Sequence, residues 1–148
     1  MTTLSFSRRF LIAAVAGATL LGHAAFASDS HRTAAPAGAE VYFIQPQAGE
    51  SLSSPVIVKF GLRGMGVAPA GVEKEKTGHH HLLIDIDLED YDSPIPADEN
   101  HRHFGGGQTE TSVELPPGTH TLQLLVGDHN HIPHQAPVQS EKITITVK

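Results

Sequence analysis

Leu115-Pro-Pro-Gly-Thr-His-Thr-Leu-Gln-Leu-Leu-Val-Gly127 holds the pattern that decides how this 148-residue chain folds. Two prolines fix φ and supply no N–H, and Gly118 is free to take φ > 0, so Pro116-Pro117-Gly118 reads as a turn. After it His120, Leu122, Leu124 and Val126 fall on alternate positions, the two-residue period of a half-buried strand. This strand is expected to return antiparallel along a weaker run at residues 109–115.

Working outward, the same signal repeats. Val41-Tyr-Phe-Ile44 stops at Pro46 and Gly49, and Val56, Val58, Phe60 and Leu62 share one face of a second run. Residues 79–88 form a third, with His80, Leu82, Ile84, Ile86 and Leu88 on one face and His79, His81, Leu83, Asp85 and Asp87 on the other. Ile143-Thr-Ile-Thr-Val147 is the last. No segment carries a capped helical period. At least six short strands with frequent turn signals predict a single all-β domain over residues 39–148. The expected fold is an antiparallel sandwich, immunoglobulin-like or cupredoxin-like. The stretch from Leu115 to Leu122 resembles the turn entering the penultimate strand of many bacterial immunoglobulin-like domains. That resemblance implies a structural role for His120, at a position where a tyrosine often hydrogen-bonds back to the chain. Two longer connections, residues 63–78 and 89–108, are the expected functional loops.

The first 27 residues read as a cleaved export signal. Arg8 and Arg9 precede an apolar stretch from Phe10 to Leu21, and Ala25-Phe26-Ala27 supplies an A-x-A cleavage pattern. Ser7-Arg-Arg-Phe-Leu11 also resembles a twin-arginine signal without its usual spacer, so the general secretory route is favoured. The periplasm is the expected location, and residues 28–38 are expected to be a flexible tail. Cleavage removes two of the ten Lys and Arg, leaving eight against sixteen Asp and Glu. So acidic a surface repels phosphate backbones, which argues against nucleic acid and anionic membranes as partners. The absence of cysteine excludes disulfides, thiolate metal sites and thiol catalysis.

Nine of the eleven histidines lie between His79 and His134. Neutral imidazole is the commonest protein ligand for borderline transition metals. On an extended strand His79 and His81 point the same way, about 6.5 to 7 Å apart, and can lean onto one ion. His80 belongs to the apolar face and is expected to be a hydrogen-bonded core residue. His129, His131 and His134 follow a strand, with Asp128 placed to bind the ion or orient an imidazole. His101 and His103 flank Arg102, whose charge opposes a bound cation, and lead into Gly105-Gly-Gly107. The candidate metal ligands are therefore His79, His81, His101, His103, His129, His131 and His134. A histidine-only set suits Cu(II) first and Zn(II) second.

Other chemistries fail on spacing. Counted from Asp85, the acidic run has Asp90 where an EF-hand needs Gly and Pro96 where it needs Glu. There is no H-E-x-x-H, no G-x-S-x-G, and Gly61-Leu-Arg-Gly-Met-Gly66 is no phosphate loop. No catalytic residue is assigned. Three functional readings follow: a metal-buffering, delivery or tolerance protein, an interaction module for a protein or glycan, and a pH-responsive domain.

Gly78-His-His-His-Leu-Leu-Ile-Asp85, His103-Phe-Gly-Gly-Gly-Gln-Thr-Glu110, Leu122-Gln-Leu-Leu-Val-Gly-Asp128 and His131-Ile-Pro-His134 together resemble one family. It is the exported bacterial family catalogued as domain of unknown function 4399, and the likeness runs from about Val41 to Val147. The resemblance implies a small periplasmic domain and brings no activity with it.

Overall fold

The computed structural model describes residues 31–148; the export signal and its cleavage point lie outside the described residues. Nine strands and no helix are present among them: β1 (Glu40–Gln45), β2 (Ser51–Leu52), β3 (Val56–Arg63), β4 (Gly66–Val67), β5 (Thr77–Ile84), β6 (His101–His103), β7 (Glu110–Val113), β8 (Gly118–Gly127) and β9 (Ile143–Val147). No helix is long and apolar enough to cross a membrane among these residues.

The strands make two layers. One sheet has the order β1-β3-β7, the other β2-β9-β8-β5-β4 with β6 added to β5. All long pairings are antiparallel; β2–β9 and β4–β5 are two-residue parallel contacts. The fold is a β-sandwich, as the strand pattern predicts. Val41, Val56, Val58, Phe60, Leu82, Ile84, Leu122, Leu124, Val126 and Ile145 fill the space between the layers. Each comes from the apolar face read in its strand, because alternate side chains stand on opposite sides of a sheet.

Two expectations are corrected. The run after Pro117 does not return along residues 109–115: β7 pairs with β3 in the first sheet, and β8 with β5 and β9 in the second. Tight hairpin turns need φ > 0 at their first central residue, which proline cannot supply. Pro116 and Pro117 instead carry the chain across the sandwich, with Leu115 buried on the way. The strand at residue 79 also ends earlier than residue 88. Asp85 turns into the left-handed region at φ 57°, and its carboxylate accepts the Thr121 N–H at 2.7 Å. Ile86 is consequently exposed.

The same carboxylate holds His120. Its Nδ1 stands 2.6 Å from Asp85 Oδ2 and its Nε2 2.8 Å from the Pro116 carbonyl, so the ring does bond back to the chain at this turn. Both partners only accept, so a doubly protonated ring satisfies them both. The Asp85 hydrogen bond accordingly raises the His120 pKa above 6.5. A raised folded-state pKa contributes stability that is complete below about pH 6.5 and lost as pH rises through the folded value. His120→Leu should therefore cost about 1–3 kcal/mol in urea unfolding at pH 6 and distinctly less at pH 9. An equal cost at both pH values would refute the charged-pair account.

Residues 31–38 differ from a flexible tail. Arg32 Nε donates to the Pro133 carbonyl at 3.0 Å, the Gln135 N–H donates to the Thr33 carbonyl at 2.9 Å, and Ala35 packs on the core. The arm is polar in sequence, and its partners lie about a hundred positions away, so local composition carries no trace of them.

Candidate metal centre

β5 is buried on both faces, which a strand in an ordinary two-layer sandwich is not. Its inner face puts His80, Leu82 and Ile84 toward the core; its outer face presents His79, His81 and Leu83 to the loops at residues 85–100 and 128–140. Ile95 ties the two loops together, its N–H donating to the His131 carbonyl at 2.9 Å. His79, His80 and His81 are each fully enclosed.

On the outer face four imidazoles meet. His79 and His81 have ring centroids 4.9 Å apart, and their Nε2 atoms are separated by 3.1 Å. His103 joins them across the sheet, directly opposite His81 in the β5–β6 register, with centroids 5.0 Å from His79 and 5.1 Å from His81. His131 closes the group from above, 4.9 Å from His79 and 4.7 Å from His103. One potential ligand atom from each of His79, His81 and His103 lies within 4.8 Å of the others.

Glycine makes the room. A Cβ on Gly127 would lie 3.0 Å from His81 Nε2 and 3.3 Å from the His131 Cα. A Cβ on Gly105 would come within 2.6 Å of His103 Nε2. A larger residue at Gly105 would displace the His103 ring, and one at Gly127 would force His81 or the His131 backbone to give way slightly. Arg102 alternates to the other side of β6 and is exposed, which removes the sequence-level objection that its charge repels a cation here.

Burial decides the protonation of these rings. It lowers His79 to a pKa of about 4, with His131 and His103 adding repulsion. It lowers His81 to about 2, with His79 next. His103 is lowered by burial and by His131. His79 and His81 are therefore neutral at pH 7, one Nε2–H of the pair donating to the other ring's lone pair. Neither Nδ1 of that pair has a hydrogen-bond partner. Buried nitrogens without partners cost about 1–3 kcal/mol each, so these rings are poor choices for stability alone.

The remaining candidates sit elsewhere. His101 occupies the same face as His103 but opposite Leu83, where Asp98 Oδ1 holds its Nδ1 at 2.9 Å. His129 bonds through Nε2 to the Asn130 side-chain amide at 2.9 Å and lines a cavity of about 380 Å³ beside Thr33 and Pro36. His134 is buried with its Nδ1 2.8 Å from Thr33 Oγ1. The expected same-side pairing of His129 and His131 fails because the chain turns between them: the His131 N–H donates to the Asp128 carbonyl at 2.9 Å, and His131 takes φ 69°. Asp128 bonds to no imidazole nitrogen of the cluster; it holds the backbone of this loop. His80 is a core residue as expected, its ring 4.7 Å from Phe60, but neither nitrogen is hydrogen-bonded. Gly127 and Thr33 carry no signal in the sequence that marks them as parts of the site, whereas the Gly105-Gly-Gly107 run beside His103 does. Gly127 matches no ligand pattern, and Thr33 lies in the arm.

A family model described as Domain of unknown function (DUF4399) matches residues 58–148, a span that omits β1 and β2 and contains every histidine of the cluster. No curated protein matches the chain. Among solved structures, the X-ray structure of the endo-beta-1,4-mannanase from Thermotoga petrophila is similar at 16% identity with a TM-score of 0.45, over 74% of this chain and 20% of that one. This chain thus spans about a fifth of that structure, and a likeness so low bears on neither fold nor activity. The family match covers more than half of the sequence, and the chain belongs to the DUF4399 family of domains of unknown function.

Proposed function

We propose that this domain binds one divalent transition-metal ion, Cu(II) in preference to Zn(II), on His79, His81 and His103 with His131 as the fourth ligand. Its service would be metal buffering, delivery or tolerance in the periplasm, the location implied by the export signal read in residues 1–27. The observation that carries this reading is the convergence of four imidazoles, two of them, His79 and His81, fully enclosed with their Nε2 atoms facing each other and their Nδ1 atoms without partners. The spacing agrees with it. Two nitrogens bound to one ion at about 2.0–2.1 Å are about 2.9 Å apart at a square-planar edge and about 3.4 Å apart at a tetrahedral one. The His79–His81 separation of 3.1 Å falls between these. His79 and His81, already neutral, need lose no proton to bind. The ring that donates its Nε2–H has only to carry that proton on its unpartnered Nδ1 instead, and nitrogen ligands place Cu(II) above Zn(II) in affinity.

Metal analysis and thermal melting test the proposal together. The expected result is one equivalent of copper retained after desalting, with a raised melting midpoint. A free ion concentration of about 100 times Kd adds roughly 2.7 kcal/mol to the folded state. Less than about a tenth of an equivalent of any transition metal, with no heat on titration, would return the domain to an interaction-module reading.

A further inference from the structure

His131 is the one ring of the cluster that no strand carries, and its backbone lies in the left-handed region at φ 69°. A non-glycine residue there is strained and persists only where its surroundings hold it. We infer that Asp128 and Thr33 are the positioning residues of the metal centre, setting His131 over the other rings without touching them. The inference rests on the metal-binding reading of the same site.

Asp128 is 2% exposed, and both of its carboxylate oxygens are engaged. Oδ1 accepts the N–H groups of Asn130 at 2.8 Å and Ile132 at 3.1 Å, the residues on either side of His131. The Asp128 backbone repeats the grip, its carbonyl accepting the His131 N–H and its N–H donating to the Ile132 carbonyl, each at 2.9 Å. Oδ2 accepts from Thr33 Oγ1 at 3.2 Å. A carboxylate accepts only, so the Thr33 hydroxyl proton points to Asp128 and its oxygen accepts the His134 Nδ1–H at 2.8 Å. Arg32 adds bonds to the carbonyls of Pro133 and His134. The loop from Asp128 to His134 is thereby clamped at both ends, with His131 at its apex. Thr33 is the link through which a segment about a hundred residues away fixes the geometry of a ligand.

The test compares Cu(II) binding by the full chain in wild type, Thr33→Val, Thr33→Ser, His131→Ala and the double variant Thr33→Val/His131→Ala. Competition titration gives the affinity, and electron paramagnetic resonance gives the ligand field. Thr33→Val should weaken Cu(II) binding about tenfold and change the hyperfine pattern, the size of effect expected when support behind a ligand is lost. Thr33→Ser keeps the hydroxyl and should restore both readouts. In the His131→Ala background the valine should change affinity by less than about twofold, because the ring it positions is gone. Asp128→Asn, which replaces an acceptor facing Thr33 with a donor, should follow Thr33→Val and serves as the second variant if valine prevents folding. Wild-type affinity and spectrum in Thr33→Val, or an undiminished valine effect without His131, would overturn the inference. A wild-type protein that binds no Cu(II) would overturn the metal reading itself and this inference with it.

Discussion

Replacing His81 with leucine is expected to leave the metal-free domain at least as stable as wild type while removing its response to copper. The ring is fully enclosed, and its Nδ1 has no partner, so wild type carries the desolvation cost of a polar group with little hydrogen bonding in return. Leucine has a similar volume, suits a strand position beside Leu83 and Leu125, and brings no polar atom. Relief of an orphan nitrogen is worth about 1–3 kcal/mol, set against the lost His79 contact and some repacking. Loss of a ligand from the centre of the cluster should weaken Cu(II) binding by more than about 100-fold, beyond the 10–100-fold seen when only the support behind a ligand is removed. Urea unfolding and thermal melting with and without Cu(II) measure both quantities. A variant much less stable than wild type without metal would show that the ring is retained for packing. A variant with an undiminished copper shift would remove His81 from the ligand set.

The second large effect is acid sensitivity of the metal-free protein. His79 and His80 are lowered to about 4 and His81 to about 2, in each case first by burial, whereas an unfolded histidine titrates near 6.5. The unfolded chain therefore binds more protons than the folded one below pH 6.5. Stability is full above that value and falls as pH drops toward 4. At pH 5 each ring withdraws on the order of 2 kcal/mol, at 1.36 kcal/mol per pH unit. Three such rings consume much of the stability of an ordinary domain, about 5–15 kcal/mol. The metal-free protein should unfold cooperatively between about pH 5.5 and 4.5. His80→Leu, which removes one buried ring without touching the outer cluster, should move that midpoint down by about 0.5–1 pH unit. Acid titration followed by circular dichroism checks this. A metal-free domain that stays folded to pH 3.5 would mean that these rings accept protons in place, in a cluster more open to water than its burial suggests.

His120 works in the opposite direction, its pKa raised by Asp85. The two groups of histidines can thus be told apart by pH alone: one penalises the folded state in acid, the other weakens as pH rises. Shared residue type conceals opposite physics, because His120 meets acceptors on both nitrogens and the cluster rings meet mostly one another.

Much of this was legible in the chain. Alternation at Val56, Val58, Phe60 and Leu62, at His80, Leu82 and Ile84, and at Leu122, Leu124 and Val126 encodes which side of each strand faces the core, since the pleat has a period of two. The pairing of His79 with His81 follows from the same geometry. The role of His80 as a core residue follows from its parity with Leu82. What alternation cannot encode is which strand lies beside which. His103 enters the cluster because β6 adds to β5 with His81 directly opposite, yet His101-Arg-His103 has no length of its own to announce a strand. His131 enters because Asp128 turns the chain, and the same turn leaves His129 outside.

The amino-acid order by itself determined that this chain makes short two-faced strands, that it holds its core without cysteine, and that its chemistry is concentrated in imidazole. Those properties are local, set by residue type and by spacings of one or two positions. Tertiary structure alone decided which of the seven candidate histidines come together, the crossing at Pro116-Pro117 in place of a hairpin, and the docking of the arm at Arg32 and Thr33. Each depends on contacts between segments far apart in sequence. Such contacts form only when the combined burial of many side chains outweighs the entropy of closing long loops, a balance struck by the whole domain at once.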